Sequence, residues 1–384
     1  MPVTAAADPL IAINAHLLSG EASYRSAGVH QYIASLLGHL DGDERRAEYV
    51  ALLGEGFLPP ESSLRYHHSA WPTGQPLVRI LWEQLAQPWV LRKLEADLVH
   101  GPVFVGPLVS PCPSVVTIHD LSFIRYPELF RPTNRMYLTV MTKLSARRAR
   151  RVIAVSAHTA SETNELLGVP LDRIDVVHHG VDPVFRPRPC QAVEAFREQR
   201  GLPQRFVLAV GTLEPRKNHT RLVEAFAQIR ESQTKLVLVG GKGWLYEELF
   251  AKVQSLDMED DVIFAGYVKN GELPLWYNAA TVLAYPSLYE GFGLPVLEAQ
   301  ASGTPVLTSS VPPLPEAAGK AAVLVDPCDT QALAAGLHQL LTDEDLRNEL
   351  SKQGIDHARR FNWEETAYRT TEVYQRALGQ KENL

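Results

Sequence analysis

Glu290 and Glu298 lie on either side of a glycine-containing turn, in the segment YPSLYEGFGLPVLE that begins at Tyr285. An ionised carboxylate only accepts hydrogen bonds and takes two O–H donors at once, so glutamates in a binding loop are suited to holding sugar hydroxyls. Taken alone, either glutamate is better explained as a structural or solvated residue. The chemistry therefore depends on the elements that position the two carboxylates.

The run 281–286 is short and apolar, which predicts a buried strand, and 294–301 predicts the first turns of a helix. Pro295 is tolerated there because the first N–H groups of a helix have no intrahelical partner. The loop 290–293 between them carries two glycines that allow the backbone to approach a ligand closely. A strand, a glycine-containing loop and a helix N-terminus together suit an anionic ligand, with Glu298 about one turn into the helix.

Length and composition limit the range of possible functions. A chain of 384 residues favours two domains, and a net charge of −7 argues against a dedicated nucleic-acid binder. Cys112, Cys190 and Cys328 have no metal-ligand spacing, which favours a reducing cytosol. The first eight residues lack the basic region of a signal peptide, and no apolar run approaches the ~20 residues that span a bilayer. We expect a cytoplasmic protein, with peripheral contact at the inner face of the membrane left open.

Short apolar runs alternate with helical patterns along both halves of the chain, which predicts parallel sheets covered by helices on both faces. Three prolines in 182–189 interrupt the alternation and predict an interdomain linker. The sequence therefore predicts two doubly wound α/β domains. Ligands of such sheets bind at the carboxyl ends of the strands.

Several polar or glycine residues directly follow predicted strands. Arg216 and Lys217 follow the strand 207–211, where two cations can hold a diphosphate; the alternative is a solvated turn capped by Asn218. His119 and Asp120 follow 114–118, where a lone histidine is more often structural. The glycines 240 and 241 end another strand and alone are a weak signal.

The run from Glu290 to Glu298, followed by ASGTPV at 301–306, resembles the signature of the retaining nucleotide-sugar glycosyltransferases of family 4. GTLEPRKN at 211–218 matches the phosphate-binding motif of that family. The resemblance covers essentially the whole chain and implies a GT-B fold. Two Rossmann-like domains then face an interdomain cleft: residues 1–187, completed by a C-terminal helix 361–384, and residues 188–360.

By this resemblance Glu290 holds sugar hydroxyls, Glu298 binds the ribose, Arg216 and Lys217 bind the pyrophosphate, and His119 contacts the donor sugar and phosphate. Asp120 either orients His119 or caps a turn. The donor contacts that the resemblance implies are Gly28, Asp120, Gly211, Gly240, Gly241, Val268, Gly291, Phe292, Gly293, Leu294 and Glu298. His30 stands where a second glycine is common in the family, and its role stays open.

The resemblance implies transfer of a hexose to a hydroxyl of a glycan or lipid-linked acceptor, with retention of anomeric configuration and without a metal or cofactor. GDP-mannose is the first expectation for the donor, and a UDP-hexose is the alternative. Two other classes remain: a hydrolysing sugar-nucleotide epimerase and a GT-B protein that binds without catalysis. Cations between Lys143 and Arg151 form either a solvated helical face or a site for anionic lipid or a polyprenyl diphosphate.

Overall fold

The computed structural model describes residues 8–18, 27–40, 47–55, 62–229, 233–243, 246–269 and 271–379. The chain divides into two compact units. Unit 1 comprises Met1–His179 and Trp363–Leu384, and unit 2 comprises Gly180–Asn362. The division therefore falls before the proline-rich segment, whereas the sequence predicts boundaries at 187/188 and 360/361.

The proline-rich segment packs on unit 2, which explains this difference. The Arg188 N–H donates to Asn278 Oδ1 at 2.7 Å, and Asn278 Nδ2 donates to the Arg186 carbonyl at 3.0 Å. The Phe185 ring meets Tyr277 edge-on, with 5.8 Å between the ring centroids. Hydrogen-bonded and packed in this way, the segment belongs to unit 2.

Unit 1 is built on a seven-stranded parallel sheet of order β3-β2-β1-β4-β5-β6-β7. Its strands are β1 Leu10–Asn14, β2 Glu48–Leu53, β3 Arg65–His68, β4 Leu98–Gly101, β5 Ser114–Ile118, β6 Arg151–Ala154 and β7 Ile174–Val176. Its helices before unit 2 are α1 Ala27–Leu40, α2 Pro76–Leu81, α3 Gln87–Lys93, α4 Ser122–Arg125, α5 Pro132–Arg148 and α6 Ala157–Glu162. Most of the strands are apolar runs because helices cover both faces of such a sheet.

The apolar pattern of residues 77–94 predicts a single helix. In the structure this stretch contains a π-helical turn, Trp82–Ala86, between α2 and α3. This wider turn directs Trp82 and Glu83 into the interior, where both are buried. Burial raises the pKa of Glu83 to about 7, against the charge of Arg79 and a hydrogen bond from Asn14. Apolar periodicity alone does not reveal such a turn.

The basic face proposed for 143–151 is not continuous. Helix α5 ends at Arg148, and Ala149 has an extended ψ of 140°. Arg147 Nε donates to the Leu167 carbonyl at 2.7 Å, and Arg151 in β6 is ion-paired with Asp175 at 2.6 Å. The cations from Lys143 to Arg151 would share one helical face only if the helix continued through them, and it stops before Arg150.

Unit 2 is built on a six-stranded parallel sheet of order β10-β9-β8-β11-β12-β13. Its strands are β8 Arg205–Val210, β9 Thr234–Val239, β10 Val262–Gly266, β11 Val282–Tyr285, β12 Val306–Ser309 and β13 Val323–Val325. Its helices are α7 Cys190–Arg200, α8 His219–Ile229, α9 Glu247–Ser255, α10 Leu273–Ala279, α11 Leu294–Ala301, α12 Leu314–Ala318, α13 Thr330–Thr342 and α14 Glu344–Ala358. The strand order reverses between β8 and β11, which creates a crevice at their carboxyl ends.

The C-terminal helix α15, Trp363–Leu378, packs in unit 1. Trp363, Ala367, Thr370 and Tyr374 recur at helical spacing, which predicts a buried face. The structure confirms this prediction, because each of the four is at most 3% exposed. The Tyr374 hydroxyl is 2.7 Å from His100 Nδ1 in β4, and His100 Nε2 is 2.8 Å from Thr117 Oγ1. Among the described residues, no helix has the length and apolarity needed to cross a membrane.

The hydroxyl of Tyr374 should make a measurable contribution to the stability of the protein. Burial holds the pKa of His100 at about 3, so the ring is neutral and needs hydrogen-bond partners. Tyr374→Phe leaves Nδ1 without this partner and should lower the free energy of unfolding by about 1–3 kcal/mol. Urea unfolding measures the loss, and Tyr368→Phe on the exposed side of α15 is the matched control. Equal unfolding midpoints for the two variants would contradict this role.

Candidate functional site

The loops after β8 and β9 meet at the crevice of unit 2 through glycine. A Cβ added to Gly240 would lie 1.9 Å from the Gly211 carbonyl oxygen, so no larger residue fits there without moving the backbone. The Leu213 N–H donates to the Gly241 carbonyl at 2.9 Å, which ties the two loops together. The side chain of Lys217 lies against Gly211, where a Cβ would be 3.2 Å from its Cε. These glycines therefore have a packing role whatever they bind.

Arg216 and Lys217 lie on a short 3-10 helix, Pro215–Lys217, which ends at Asn218 in the left-handed region with φ of 61°. Asparagine tolerates this conformation better than most residues. Its Nδ2 donates to the Pro286 carbonyl at 3.1 Å, and the Leu288 N–H donates to the Arg216 carbonyl at 2.9 Å. The turn that follows β8 is thereby fastened to the loop that follows β11.

This arrangement produces an ion cluster of Glu214, Arg216, Lys217, Tyr285 and Glu290. Lys217 Nζ donates to Glu290 Oε1 at 2.6 Å and to the Tyr285 hydroxyl at 2.7 Å, and that hydroxyl lies 2.9 Å from Glu290 Oε1. Arg216 Nη1 donates to Glu290 Oε2 at 3.0 Å, and Arg216 Nη2 donates to Glu214 Oε1 at 2.8 Å. Glu290, predicted to hold the sugar, is thus directly hydrogen-bonded to Arg216 and Lys217, which are predicted to bind the pyrophosphate.

The ion cluster holds Glu290 ionised. Burial of this carboxyl raises its pKa, but the charges of Lys217 and Arg216, with hydrogen bonds from Lys217 and Ser287, outweigh burial and bring the pKa to about 2. Burial and the Glu290 charge raise the pKa of Tyr285, so its hydroxyl stays protonated. Two cations then face two carboxylates, and the ion cluster is close to neutral overall.

Glu298 lies one turn into α11, as the sequence predicts, and its environment differs from that of Glu290. The Tyr277 hydroxyl donates to Glu298 Oε2 at 2.8 Å. Burial raises the pKa of Glu298 to about 7, opposed by this hydrogen bond and assisted by the charge of Asp182. At neutral pH its carboxyl therefore titrates, whereas Glu290 stays charged.

The loop between the glutamates is shaped by Gly293, which has φ of 119° and directly precedes α11. This φ favours glycine, and a Cβ at this position would in addition lie 2.7 Å from Leu314 Cδ2, so that the leucine side chain would have to move. Phe292 is buried, with its ring centroid 5.8 Å from that of Phe361; Gly291 is also buried, and Leu294 is half-buried. By the resemblance, the segment 267–270 packs on the base of the donor. Within it, Val268 is half-buried against the core that contains Tyr285, and residue 270 lies outside the described residues.

In unit 1, His119 lies after β5 in a cluster of rings. Its Nε2 donates to the Pro102 carbonyl at 2.8 Å, and its Nδ1 is 3.3 Å from His179 Nε2. The Tyr32 ring meets His119 edge-on at 4.7 Å between centroids. Burial lowers the pKa of His119, which favours a neutral ring that bonds through one protonated nitrogen.

Asp120 Oδ1 accepts hydrogen bonds from the N–H and the hydroxyl of Ser122, at 2.9 and 2.6 Å. Of the two readings of Asp120, these contacts match the turn cap. Gly28 is the second residue of α1 with open space around it, and His30 lies in the first turn of that helix. The described contacts do not assign either residue to a ligand.

Four residues of these two clusters, including Tyr32 of α1, were not singled out by sequence reasoning. Glu214 lies inside the GTLEPRKN motif, Tyr285 is the last residue of β11, and His179 follows β7 closely. Glu214, Tyr285 and His179 thus lie at or within four residues of the carboxyl end of a strand, and this position is the signal that could have identified them. Within the described residues, no group of three or more His, Cys, Asp or Glu side chains is placed to hold a metal ion.

Comparison with known proteins matches both halves of the chain. Residues 192–357 match the family described as Glycosyl transferases group 1, and residues 26–185 match Glycosyltransferase Family 4. The O-antigen chain mannosyltransferase B of Escherichia coli is 34% identical over 294 residues, covering 75% of this chain and 76% of that protein. A D-inositol 3-phosphate glycosyltransferase of Streptomyces scabiei is 35% identical over 390 residues, covering 92% and 87%.

The fold is also found among solved structures. The sucrose-phosphate synthase of Thermosynechococcus elongatus superposes with a TM-score of 0.74 at 24% identity, over 97% of this chain and 99% of that one. The likeness extends over both units. The predicted fold class, two Rossmann-like parallel-sheet domains of the GT-B type, is confirmed.

Lys217 should be required for the stability of the ion cluster. Lys217→Met keeps the length of the side chain but removes one of the two positive charges that pair with the Glu290 carboxylate. This loss should lower the free energy of unfolding by about 3 kcal/mol at pH 7. The pKa of Glu290 is about 2 instead of 4.5, so the stability that its ionisation contributes is present above pH 4.5 and lost as pH falls towards 2. The deficit of the variant should therefore shrink below pH 4.

Urea unfolding of wild type and variant, at pH 7 and below pH 4, measures this difference in the free energy of unfolding. Lys235→Met is the control, because Lys235 forms a half-exposed ion pair with Asp261, and such pairs contribute no more than about 1 kcal/mol. A Lys217→Met deficit no larger than that of the control would mean that the ion cluster does not stabilise unit 2.

Proposed function

This chain belongs to the group 1 and family 4 glycosyltransferases, and we propose that it transfers a hexose from a nucleotide diphosphate sugar to an acceptor hydroxyl, with retention of anomeric configuration. The acceptor that we propose is a glycan or a lipid-linked saccharide. The observation that carries the proposal is the ion cluster at the crevice of unit 2. It holds two cations and an ionised carboxylate within hydrogen-bonding distance of one another.

Arg216 and Lys217 are the groups that we assign to the departing diphosphate. In the transfer, the bond between the anomeric carbon and the phosphate oxygen breaks, and negative charge builds up on that oxygen. Both cations already contact Glu290, so the donor enters an ordered arrangement and little reorganisation remains for the reaction itself. The N-terminus of α11 lies beside the same loop and favours negative charge.

Glu290 is the group that we assign to the sugar hydroxyls. Its low pKa keeps it an acceptor throughout the neutral range, and Arg216, Lys217 and Tyr285 fix its orientation. No separate nucleophile enters the proposal: the acceptor oxygen attacks the anomeric carbon on the face from which the phosphate leaves. The acceptor proton passes to the departing phosphate oxygen. His119 is assigned to the donor sugar from unit 1.

GDP-mannose is the donor that we propose first, because a relative with 34% identity is named a mannosyltransferase. A UDP-hexose is the alternative. Calorimetry with GDP, UDP and ADP in the presence of a chelator distinguishes them: we expect binding of GDP, with micromolar affinity. Preferred binding of UDP would favour a UDP-hexose as the donor in place of GDP-mannose. Binding that appears only with a divalent ion would refute the proposal of a metal-independent site.

Transfer itself is tested by incubation of GDP-mannose with candidate acceptors, followed by NMR of the anomeric proton in the product. Release of free GDP at full rate without any acceptor would favour the hydrolysing class instead. Binding without any turnover would favour a non-catalytic protein.

The three cysteines are free, in agreement with the cytoplasmic location that we propose.

Glu298 gives a pH-dependent test of the ribose assignment. Its pKa of about 7 means that the carboxylate form, which accepts ribose hydroxyls, decreases as pH falls below 7. If only that form binds, the Kd for the preferred nucleotide should rise about tenfold between pH 8 and pH 6. Glu298→Gln keeps the shape and should remove this part of the pH dependence.

The nucleotide phosphates also titrate in this range, so the meaningful quantity is the difference between the calorimetric profiles of wild type and Glu298→Gln. Parallel profiles would show that Glu298 does not bind the ribose as a carboxylate. Glu248→Gln, on α9 in the same unit, is the control for a charge change elsewhere.

A further inference from the structure

Unit 1 exposes two rows of large apolar side chains. The first row lies on the continuous helical stretch from Pro76 to Lys93, and the second lies on α5. Their exposed fractions range from 37% at Leu144 to 76% at Leu77. The members of the rows are Leu77, Leu81, Leu85 and Trp89 on the first and Met136, Val140 and Leu144 on the second.

Both rows advance by four residues, which keeps neighbouring members on one side of a helix. In an α-helix this spacing drifts by about 40° at each step, because four residues turn through about 400°. The π-helical turn Trp82–Ala86 has more residues per turn and reduces this drift in the middle of the first row. The same turn directs Trp82 and Glu83 inward, while Leu81 and Leu85 stay outside.

The two rows are neighbours because both helices hold the same loop. Gln84 Oε1 accepts from the Leu108 N–H at 3.0 Å, and Gln84 Nε2 donates to the Gly106 carbonyl at 3.2 Å. From the other side, Ser145 Oγ accepts from the Gly106 N–H at 3.2 Å. Val109, which follows in this loop, is also exposed. We call the seven row residues and Val109 the apolar face.

Positive charge accompanies the apolar face. Between Pro132 and Arg148, helix α5 contains Arg135, Lys143, Arg147 and Arg148 and no acidic residue. The helical stretch of the first row ends with Arg92 and Lys93. The whole chain has a net charge of −7, so these helices are basic against the general trend of the sequence.

We propose that the apolar face binds to the surface of an anionic bilayer, with its side chains at the boundary between headgroups and acyl chains and its basic residues on the headgroups. Apolar residues flanked by Lys and Arg are the pattern of a helix that lies in a membrane interface. A second copy of the chain fits less well, since a symmetric contact would set the basic residues of both copies against each other.

The position of the apolar face gives this binding a consequence for catalysis, which rests on the proposed function. The loop held by Gln84 and Ser145 begins at Pro102, whose carbonyl accepts the hydrogen bond from His119. Binding at this face would therefore keep the His119 edge of unit 1 close to the membrane surface. An acceptor carried on a lipid would meet the enzyme there.

The first test is sedimentation of the full-length protein with phosphatidylcholine vesicles, with and without phosphatidylglycerol. We expect binding to the anionic vesicles, weakened by salt. The triple variant Leu81→Ser, Leu85→Ser, Trp89→Ser should lower the partition coefficient more than about tenfold, because it removes three apolar side chains from the interface. Lys143→Ala should lower it about fivefold, as expected for one cation near an anionic surface.

Leu171→Ser and Leu324→Ser are the matched controls, since both leucines are exposed and lie outside the apolar face. They should bind vesicles like wild type. Nucleotide binding, measured without vesicles, shows that each variant is folded, and it tests the donor site independently of the membrane. A failure of membrane binding is thereby distinguished from a failure of the proposed function.

The fluorescence of Trp89 supplies a second readout that needs no destabilising variant. Anionic vesicles should shift the emission to shorter wavelength in wild type and in Trp71→Phe but not in Trp89→Phe. Absence of binding by wild type, or equal binding by the triple variant, would overturn the proposal. So would a dimer in sedimentation velocity that the triple variant abolishes while vesicles stay unbound, because the apolar face would then belong to a second copy.

Discussion

The buried carboxylate of Glu290 is the constraint on which the functional edge of unit 2 depends. A charge removed from water is stable only when opposite charges and hydrogen bonds replace its hydration. Arg216, Lys217 and Tyr285 supply them, and each is therefore held in one geometry. The same contacts fasten the loop after β8 to the loop after β11, at the point where the strand order of the sheet reverses. The stability of this edge and the ligand chemistry that we propose for it consequently depend on the same atoms.

The two glutamates of the signature differ because their surroundings differ. Both carboxyls are desolvated, and desolvation alone raises a carboxyl pKa. Two cations reverse this effect at Glu290, whereas at Glu298 the Tyr277 hydroxyl opposes burial and the charge of Asp182 adds to it. A permanently charged acceptor beside the cations and a titrating carboxyl one turn into α11 are thus produced from the same residue type. This separation agrees with the different roles, toward sugar and toward ribose, that we propose for the two glutamates.

Unit 1 combines an interior held by hydrogen bonds and ring contacts with a surface that exposes rows of apolar side chains. Helix α15 closes its core through the chain of contacts from Tyr374 to His100 and Thr117, and the rings of Tyr32, His119 and His179 pack at the carboxyl edge of the sheet. The π-helical turn before α3 serves both sides of its helix. It directs Trp82 and Glu83 inward while the apolar row stays outside. The packing of the interior thereby leaves exposed an apolar face that contact with water alone would not favour.

The alternation of strands and helices and the family were predictable from the sequence, because both depend on residues close together in the chain. Apolar runs, strand ends with glycine, and the helical period of α15 are local patterns, and the glutamate signature occupies one short segment. Which residues act together depends instead on how the chain folds. Glu290 and Lys217 are 73 positions apart and His119 and His179 are 60 apart, so their contacts follow from the order of the strands. The π-helical turn, the end of α5 at Arg148 and the attachment of the proline-rich segment to unit 2 likewise depend on packing partners distant in the sequence. Charge and pKa at the site are set by burial, which a linear pattern does not record.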